Sequence, residues 1–247
     1  MKKTDYLCKV KNNQTTDQSA TSPWLRFPSP GIEAGVEPDA TLSPLEVILP
    51  GQTHTCNVAV IEADDLTLIP RLTATYASFP SPFPATDALV CFRPALRIGI
   101  LTADCVPLLL HAPDIKAVAA IHAGWKGTLG GIVDSVIDIL TSRGANPSLM
   151  AVAMGPCILG EDYEVSPELA DRFADAGFSG CITHPGGPSC NPHINLPEVN
   201  RSRLVRRGVP SEAILMPMCS TLTTPALPSW RRNPGTTVRL LSHIRLK

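Results

Sequence analysis

The stretch TADCVPLLLHAPDIKAVAAIHAGWKG, residues 102–127, carries the strongest pattern in this 247-residue sequence. Two apolar runs within it, CVPLLLH at 105–111 and KAVAAIH at 116–122, are joined by a short loop around Pro113 and Asp114. Apolar runs of this length, separated by a few turn residues, are typical of a β-hairpin. We therefore predict two neighbouring antiparallel strands here.

A loop that is symmetric about the Pro113–Asp114 bond places Val106 opposite Ile121 and Cys105 opposite His122. Directly opposite residues have Cβ atoms about 4.5–5.5 Å apart. A thiolate and an imidazole at that distance can share a metal ion, because Zn–S bonds are about 2.3 Å and Zn–N bonds about 2.0–2.1 Å long. They can equally form a Cys–His nucleophile pair, or a buried cysteine beside a histidine that binds only backbone.

The loop after His122, Ala-Gly-Trp-Lys-Gly, leads directly into a predicted helix over 127–142. Gly124 and Gly127 leave backbone N–H groups available at the helix N-terminus, where the helix dipole is positive. Lys126 adds a full charge. This pattern predicts an anion or phosphate site in the loop, although a tight strand-to-helix turn has the same pattern.

Further strands and helices are indicated outside the hairpin. Apolar runs predict strands at 45–49, 56–62, 97–103, 149–155 and 213–218. Helices are predicted to begin at Ser166-Pro167 and at Pro197, and to end at Gly177 and Gly208. Because hairpins alternate with strand–helix steps, we expect an α+β fold rather than a purely parallel sheet. Residues 1–22 are polar and are predicted to form a flexible tail, with 23–247 forming a single domain.

The composition indicates a folded protein of balanced charge. Hydrophobic residues make up 44% of the chain, and 21 basic residues against 22 acidic residues give a formal net charge of −1. A nucleic-acid-binding protein usually has a basic excess, so no nucleic-acid partner is expected. No apolar run approaches the roughly 20 residues that span a bilayer, and the N-terminus lacks the apolar region of a signal peptide. We expect a cytoplasmic protein with a small-molecule substrate and no membrane partner.

A third metal ligand is needed beside Cys105 and His122, because catalytic zinc usually has three protein ligands and one open position. The remaining histidines are at positions 54, 111, 184, 193 and 243. His111 is a poor candidate because it lies at the loop end of the hairpin. The pattern alone does not separate His54 from His184 and His193.

Six segments of the sequence closely resemble the YfiH-like, or laccase-domain, family. They are TADCVPLLL (102–110), AAIHAGWKGTLGGIV (119–133), MGPCILGEDYEVSPEL (154–169), GQTHTCNV (51–58), INLPEVNRSRLVRRGV (194–209) and CSTLTTPALPSWRRNPGTTVR (219–239). The resemblance implies a four-layer α/β/β/α sandwich of mixed β-sheets flanked by helices. It also implies a single metal site, normally zinc and alternatively copper, held by His54, Cys105 and His122.

The resemblance further implies an activity. Family members have been named purine nucleoside phosphorylases, multicopper polyphenol oxidases and peptidoglycan-editing factors. We expect a zinc-dependent purine nucleoside phosphorylase with adenosine deaminase activity, acting on adenosine, inosine or methylthioadenosine. The catalytic candidates are Asp104 as a proton carrier, Cys105 as a metal ligand and Lys126 as a phosphate ligand. The substrate-binding candidates are Gly124, Trp125, Lys126, Gly127, Arg231 and Arg232, whereas Cys157 is expected to be a buried structural thiol.

Three alternatives remain open at this point. A copper polyphenol oxidase fits less well, because the sequence has only six histidines and no His-x-His cluster. A cell-wall precursor-editing amidohydrolase would use Cys105 as nucleophile and His122 as base. A binding protein without activity is favoured if the segment between Gly31 and Gln52, which is shorter than in the family, has removed part of the pocket.

Overall fold

The computed structural model describes residues 24–25, 27, 29–43, 45–62, 81–187 and 189–247. The predicted tail at 1–22 lies outside the described residues. None of the described helices combines the length and the apolar composition of a membrane-spanning segment.

Eleven strands form three sheets in the described chain. They are β1 Ile32–Glu37, β2 Val58–Ile61, β3 Ala88–Cys91, β4 Ile98–Thr102, β5 Val106–Ala112, β6 Ala117–Ala123, β7 Ala151–Met154, β8 Ile182–Thr183, β9 His193–Ile194, β10 Ile214–Leu215 and β11 Leu240–Leu246. A six-stranded mixed sheet has the order β10-β7-β5-β6-β3-β2, and a three-stranded antiparallel sheet has the order β1-β11-β4. The remaining pair is β8-β9. The predicted α+β class with layered mixed sheets is confirmed.

The predicted hairpin is confirmed, but its predicted register is wrong by two residues. The strands β5 and β6 close with Ala112 opposite Ala117, so that Pro107 faces His122 and Val106 faces Ala123. The shift arises because a 3-10 turn occupies Pro113–Ile115 and Lys116 then adopts the left-handed conformation at φ 50°. The loop is therefore symmetric about the Asp114–Ile115 bond, and Cys105 is a diagonal rather than a direct neighbour of His122.

The hairpin lies in the centre of the six-stranded sheet and is buried on both faces. Along β6, Val118 and Ala120 point to one core while Ala119 and Ile121 point to another. Strands covered on both sides are continuously apolar rather than alternating. The core that contains Ala119 and Ile121 lies between this sheet and the helices, and the core that contains Val118 and Ala120 lies between this sheet and the three-stranded sheet. The outer face of the three-stranded sheet packs against the segment 40–49.

Four α-helices are described: α1 Trp125–Gly130, α2 Ile132–Ser142, α3 Pro167–Phe173 and α4 Leu196–Arg206. The continuous helix predicted over 127–142 is wrong, because Gly131 interrupts it in the left-handed conformation at φ 85°. Ser166 caps α3 as predicted, and the left-handed Gly177 follows that helix. Helix α4 begins one residue earlier than predicted, because the Asn195 side chain accepts a hydrogen bond from the Glu198 N–H.

Two predicted strands are shorter than expected. The 45–49 run forms only an isolated bridge between Ile48 and Ile98, and the 213–218 run pairs only over Ile214–Leu215. Pro50 follows the first run directly and has no N–H to donate to a longer ladder.

A strip of charged residues crosses the three-stranded sheet around the buried His243. The Arg97 guanidinium donates a hydrogen bond to His243 Nδ1 at 2.9 Å and forms an ion pair with Glu33, which also binds Arg245. Glu37 Oε1 lies 3.7 Å from His243 Nε2. Burial, together with the neighbouring guanidinium of Arg97, lowers the pKa of His243 to about 4.

We expect this histidine to make the fold sensitive to mild acid. Below the unfolded pKa of about 6.5, the unfolded chain binds a proton that folded His243 does not accept until about pH 4. The free energy of unfolding should therefore fall as the pH decreases from about 6.5 to about 4. Denaturant unfolding of the wild type and of His243→Gln at several pH values measures this loss. The variant should lose less stability over that window, and parallel curves for the two proteins would contradict the assignment.

Candidate metal centre

Three side chains from separate parts of the chain meet at one end of the central hairpin. The donor atoms of His54, Cys105 and His122 all lie within 4.8 Å of one another, and His54 Nε2 is 3.9 Å from Cys105 Sγ. Tetrahedral zinc with Zn–N and Zn–S bonds of ordinary length places its ligand atoms about 3.3–3.6 Å apart. Two imidazoles and one thiolate are a donor set that zinc prefers, and copper also binds nitrogen and sulfur ligands. The residues present therefore fit a three-ligand metal site with one open position.

The turn that precedes β5 positions Cys105. Asp104 adopts a left-handed conformation at φ 89°, which is strained for a residue with a side chain. Its carboxylate stabilises this turn, because Oδ1 accepts a 2.6 Å hydrogen bond from the Thr221 hydroxyl and Oδ2 accepts a 2.7 Å bond from the Arg231 N–H. The C-terminal segment is thereby attached directly beside the cysteine ligand.

The strand β6 carries His122 into the interior, and Asp87 determines the orientation of its ring. The His122 Nδ1 lies 2.7 Å from Asp87 Oδ1, and both side chains are buried. Since a carboxylate accepts this bond, Nδ1 carries a proton and Nε2 is the ring nitrogen directed to the other two side chains. A carboxylate that orients a histidine ligand in this way is common at zinc sites.

The same carboxylate holds the loop that carries His54. Asp87 Oδ1 accepts a 3.0 Å hydrogen bond from the His54 N–H, while Oδ2 accepts bonds from the Thr53 N–H at 3.2 Å and the Thr55 N–H at 2.7 Å. The Thr55 hydroxyl donates a further bond of 2.8 Å. These bonds hold His54 in a left-handed conformation at φ 63°. Asp87 therefore positions two of the three candidate ligands, and no pattern in the sequence indicated this role.

Electrostatic interactions favour the charged, metal-binding form of the cysteine. Burial raises the pKa of the Cys105 thiol, but hydrogen bonds and charge from His122 and His54 outweigh burial, and its pKa lies well below the ordinary value. Burial alone would lower the pKa of His122. Hydrogen bonds and charge from Asp87 and Cys105 have the larger effect, so the pKa of His122 lies above its ordinary value. The pKa of Asp87 is held far below its usual range, because hydrogen bonds from His122 and Thr55 outweigh its burial. Thiolate is the form of cysteine that binds metal ions.

Gly124 lies so close to the ligands that a side chain cannot be accommodated there. A Cβ atom at this position would lie 2.9 Å from His54 Cδ2 and 3.1 Å from Cys105 Sγ. This close approach follows from the observed register, which places residue 124 opposite Cys105. The reason that glycine is required here is the lack of space beside the ligands. Its backbone conformation is not the reason, because a φ of −71° is available to any residue.

We expect Gly124→Ala to weaken metal binding by at least about tenfold, the scale of effect seen when the groups around metal ligands are disturbed. Gly180→Ala is the matched control, because no atom lies within 4 Å of a Cβ at that position. Competition with a chromophoric chelator measures both affinities. Equal zinc affinity in the two variants would show that the ligands tolerate the added methyl group.

A cavity of about 570 Å³ opens beside the three ligands, a size typical of small-molecule sites. Its lining residues are Gln52, His54, Leu101, Thr102, Ala103, Asp104, Cys105, His122, Trp125, Ile158, Tyr163, Leu196, Trp230, Arg231 and Arg239. Of the predicted substrate-binding residues, Trp125 and Arg231 line this cavity. Tyr163, Trp230 and Arg239 were not selected from the sequence, although all three lie within the segments that carry the family resemblance.

Within the predicted phosphate loop, Trp125 lines this cavity but the proposed phosphate ligand Lys126 does not. Lys126 is exposed, its Nζ lies 5.6 Å from the centre of the Trp125 ring, and neither Lys126 nor Gly127 belongs to the cavity lining. Arg232 does not line the cavity either. Its guanidinium donates hydrogen bonds to the carbonyls of Thr221 at 2.6 Å and Leu222 at 2.9 Å. It therefore stabilises a turn of the C-terminal segment.

The other histidines and the cysteine considered from the sequence, His111, His193 and Cys157, do not line the cavity. His111 Nδ1 lies 2.7 Å from the Ser29 hydroxyl, far from the ligands, as its position at the loop end suggested. His193 Nδ1 lies 3.3 Å from the Gly160 carbonyl. Cys157 is fully buried, as expected, and its pKa is raised well above the usual value by burial and nearby negative groups.

The fold and the site together define an α+β protein with a His-Cys-His group that could hold a metal ion, beside a cavity of about 570 Å³. The chain belongs to the family described as multi-copper polyphenol oxidoreductase laccase, whose model matches residues 36–247. Two solved structures share the fold. YlmD from Geobacillus stearothermophilus matches with a TM-score of 0.75 and 25% identity over 94% of this chain and 98% of its own. The Bacillus licheniformis protein YfiH matches with a TM-score of 0.72 and 30% identity over 81% and 74%.

Several curated relatives carry enzyme names. A purine nucleoside phosphorylase from Deinococcus radiodurans is 38% identical over 65% of this chain and 61% of its own length. The adenosine deaminase RL5, from an unknown prokaryotic organism, is 34% identical over 69% and 63%. A purine nucleoside phosphorylase from Bacteroides thetaiotaomicron is 32% identical over 82% and 74%. The match thus spans less than two thirds of the first two relatives.

Proposed function

We propose that this chain is a zinc-dependent purine nucleoside phosphorylase that also deaminates adenosine, with adenosine, inosine and methylthioadenosine as substrates. The observation that carries the proposal is the His54, Cys105 and His122 group in the wall of the 570 Å³ cavity. The names of the relatives from Deinococcus radiodurans and Bacteroides thetaiotaomicron, and of the deaminase RL5, support it.

The cavity has the aromatic lining that a purine base requires. Trp125, Tyr163 and Trp230 contribute rings to its wall, and such rings stack on flat heteroaromatic groups. The Trp125 ring is held from one side by the Arg172 guanidinium, 5.1 Å from the ring centre. These residues would bind and orient the base while the ribose and the reacting bond face the metal ligands.

Zinc bound by the three ligands would supply a water molecule acidic enough to act as hydroxide near neutral pH, as deamination needs. In phosphorolysis, a phosphate oxygen bonds to the ribose C1′ while the bond from C1′ to the base nitrogen breaks. The base leaves with the electron pair and takes up a proton, and the other product is ribose 1-phosphate. The protein must therefore hold phosphate beside the sugar.

Asp104 fits a positioning role better than the proton-carrying role expected from the sequence. Each of its two oxygens already accepts a short hydrogen bond, from Thr221 and from Arg231. These bonds occupy both carboxylate oxygens and maintain the turn that presents Cys105.

A Cys–His nucleophile is the second candidate function, favoured by the lowered pKa of Cys105 beside His122. The family description suggests a copper-dependent phenol oxidase. Such an enzyme would need several copper ions, whereas the described residues contain one group of three potential metal ligands. The three activities differ in the metal they require.

The test is to purify the protein without added metal, to quantify zinc and copper, and to assay adenosine and inosine with and without phosphate. We expect close to one zinc per chain, phosphate-dependent release of the base, and conversion of adenosine to inosine. A metal-stripped protein that keeps its activity and loses it on thiol alkylation would favour the nucleophile. Stoichiometric copper with phenol oxidation and no nucleoside turnover would refute the proposed function.

A further inference from the structure

Two arginines in the cavity wall lack the carboxylate partner that six other arginines in the described residues have. Ion pairs with Asp or Glu are formed by Arg97, Arg143, Arg201, Arg203, Arg207 and Arg245. Arg231 and Arg239 both line the cavity, and neither has a carboxylate within ion-pair distance among the described residues. Two positive charges therefore face the cavity, and no described carboxylate forms an ion pair with either of them.

Each of these guanidiniums is held in place while part of it remains available. Arg231 donates from Nη1 to the Glu164 carbonyl at 3.0 Å and lies over the Tyr163 ring at 5.4 Å. Arg239 donates from Nη1 to two backbone carbonyls and lies over the Trp230 ring at 5.8 Å. In both side chains Nε and Nη2 have no protein acceptor within the described ranges.

The two arginines are also connected, through a hydrogen bond and a ring contact, to residues beside the candidate metal ligands. The Arg231 N–H is bonded to Asp104, the residue before Cys105. Trp230, whose ring lies under Arg239, is the chain neighbour of Arg231. An oxyanion bound by these side chains would therefore lie in the same cavity as the three ligands.

We propose that Arg231 and Arg239 form the binding site for the phosphate co-substrate. Guanidinium groups present N–H donors in a fork that matches the oxygens of a tetrahedral oxyanion. The site replaces the loop of Gly124, Lys126 and Gly127, which was expected to bind phosphate from the sequence pattern. The identification of the anion as phosphate rests on the proposed function, whereas the oxyanion site itself rests on the two side chains.

The test measures binding of inorganic phosphate to the zinc-loaded protein by calorimetry without nucleoside, and separately measures KM for phosphate and for inosine. Arg231→Gln and Arg239→Gln should each weaken phosphate binding by about 10-fold or more, the scale of a hydrogen bond to a charged group. KM for inosine and zinc content should change much less. Arg206→Gln is the matched control, because Arg206 lies on α4 outside the cavity and donates to the Gly177 carbonyl.

The lysine variants Arg231→Lys and Arg239→Lys keep the charge and are used if a glutamine variant does not fold. Phosphate affinity that is unchanged in a protein carrying both Arg231→Gln and Arg239→Gln, or that is reduced instead by Lys126→Gln, would overturn the inference, as would a wild type that binds no phosphate. Nucleoside turnover with an unchanged phosphate KM in the arginine variants would retain the proposed function and refute this site. Arginine-dependent phosphate binding without turnover would retain the site and refute the proposed function.

Discussion

Cys105→Ala is expected to abolish tight zinc binding and to reduce nucleoside turnover by more than about 100-fold. Altering a residue that only supports a metal ligand typically costs about 10–100-fold in affinity or activity, and Cys105 is itself a proposed ligand. Its removal leaves His54 and His122, and two protein ligands are fewer than catalytic zinc sites normally have. Zinc content after dialysis and the steady-state rate with inosine and phosphate measure the two effects.

The control for this variant is Cys190→Ala, because Cys190 is exposed and belongs to another loop. The metal-free forms of wild type and Cys105→Ala should unfold at similar temperatures, since the Cys105 side chain is only partly buried. A Cys105→Ala protein that is inactive but still contains one zinc per chain would contradict the ligand role. That result would point instead to the thiolate as a nucleophile.

Asp87→Asn is expected to weaken zinc binding by about 10–100-fold, the range for residues that orient metal ligands. The amide has one acceptor oxygen in place of two, and its NH₂ group cannot accept the bonds from Thr53 and Thr55. If the NH₂ group faces His122 Nδ1 instead, it donates to that nitrogen and shifts the ring proton to Nε2. The nitrogen that should bind metal is then protonated.

Asp87→Ala should be more severe, because it removes the acceptor of the buried His122 ring N–H and of three backbone N–H groups in the loop that carries His54. Each unsatisfied buried donor costs about 1–3 kcal/mol, so this variant is expected to be largely unfolded. Asp87→Asn is therefore the informative substitution, and Asp138→Asn is its control, because Asp138 is exposed and pairs with Arg207 on the surface.

Two measurements separate a positioning role of Asp87 from a purely structural one. The first is zinc affinity from chelator competition, and the second is the absorption spectrum of the cobalt-substituted protein, which reports the ligand geometry. A variant with a lower unfolding temperature but wild-type zinc affinity and an unchanged spectrum would show that Asp87 supports only the fold.

Much of the fold was predictable because its signals are local. The two continuous apolar runs of the hairpin predicted β5 and β6, and a capping serine followed by proline predicted the start of α3. The register was not predictable, because it depends on the left-handed conformation of Lys116 in the turn. The same holds for the break at Gly131, since a glycine within an apolar helical pattern is compatible with either a continuous or an interrupted helix.

The site was only partly predictable. Cys105 and His122 followed from hairpin pairing even though the register was two residues off, because diagonal neighbours on adjacent strands remain close. His54 was indicated by the family resemblance rather than by pattern. Asp87 gave no sequence signal, since an aspartate before an apolar run is common at the start of a strand.

The sequence by itself determined the α+β class, the hairpin and two of the three proposed metal ligands, because strand periodicity and helix caps act over a few residues. The packing of distant segments brings His54, which the family resemblance had indicated, beside these two side chains, and it lets Asp87 bond to two members of the group. The same packing places Arg231 and Arg239, but not Lys126, in the cavity wall. These relations join residues that are 30 or more positions apart. They depend on how the two sheets and the C-terminal segment pack, which a local sequence pattern does not encode.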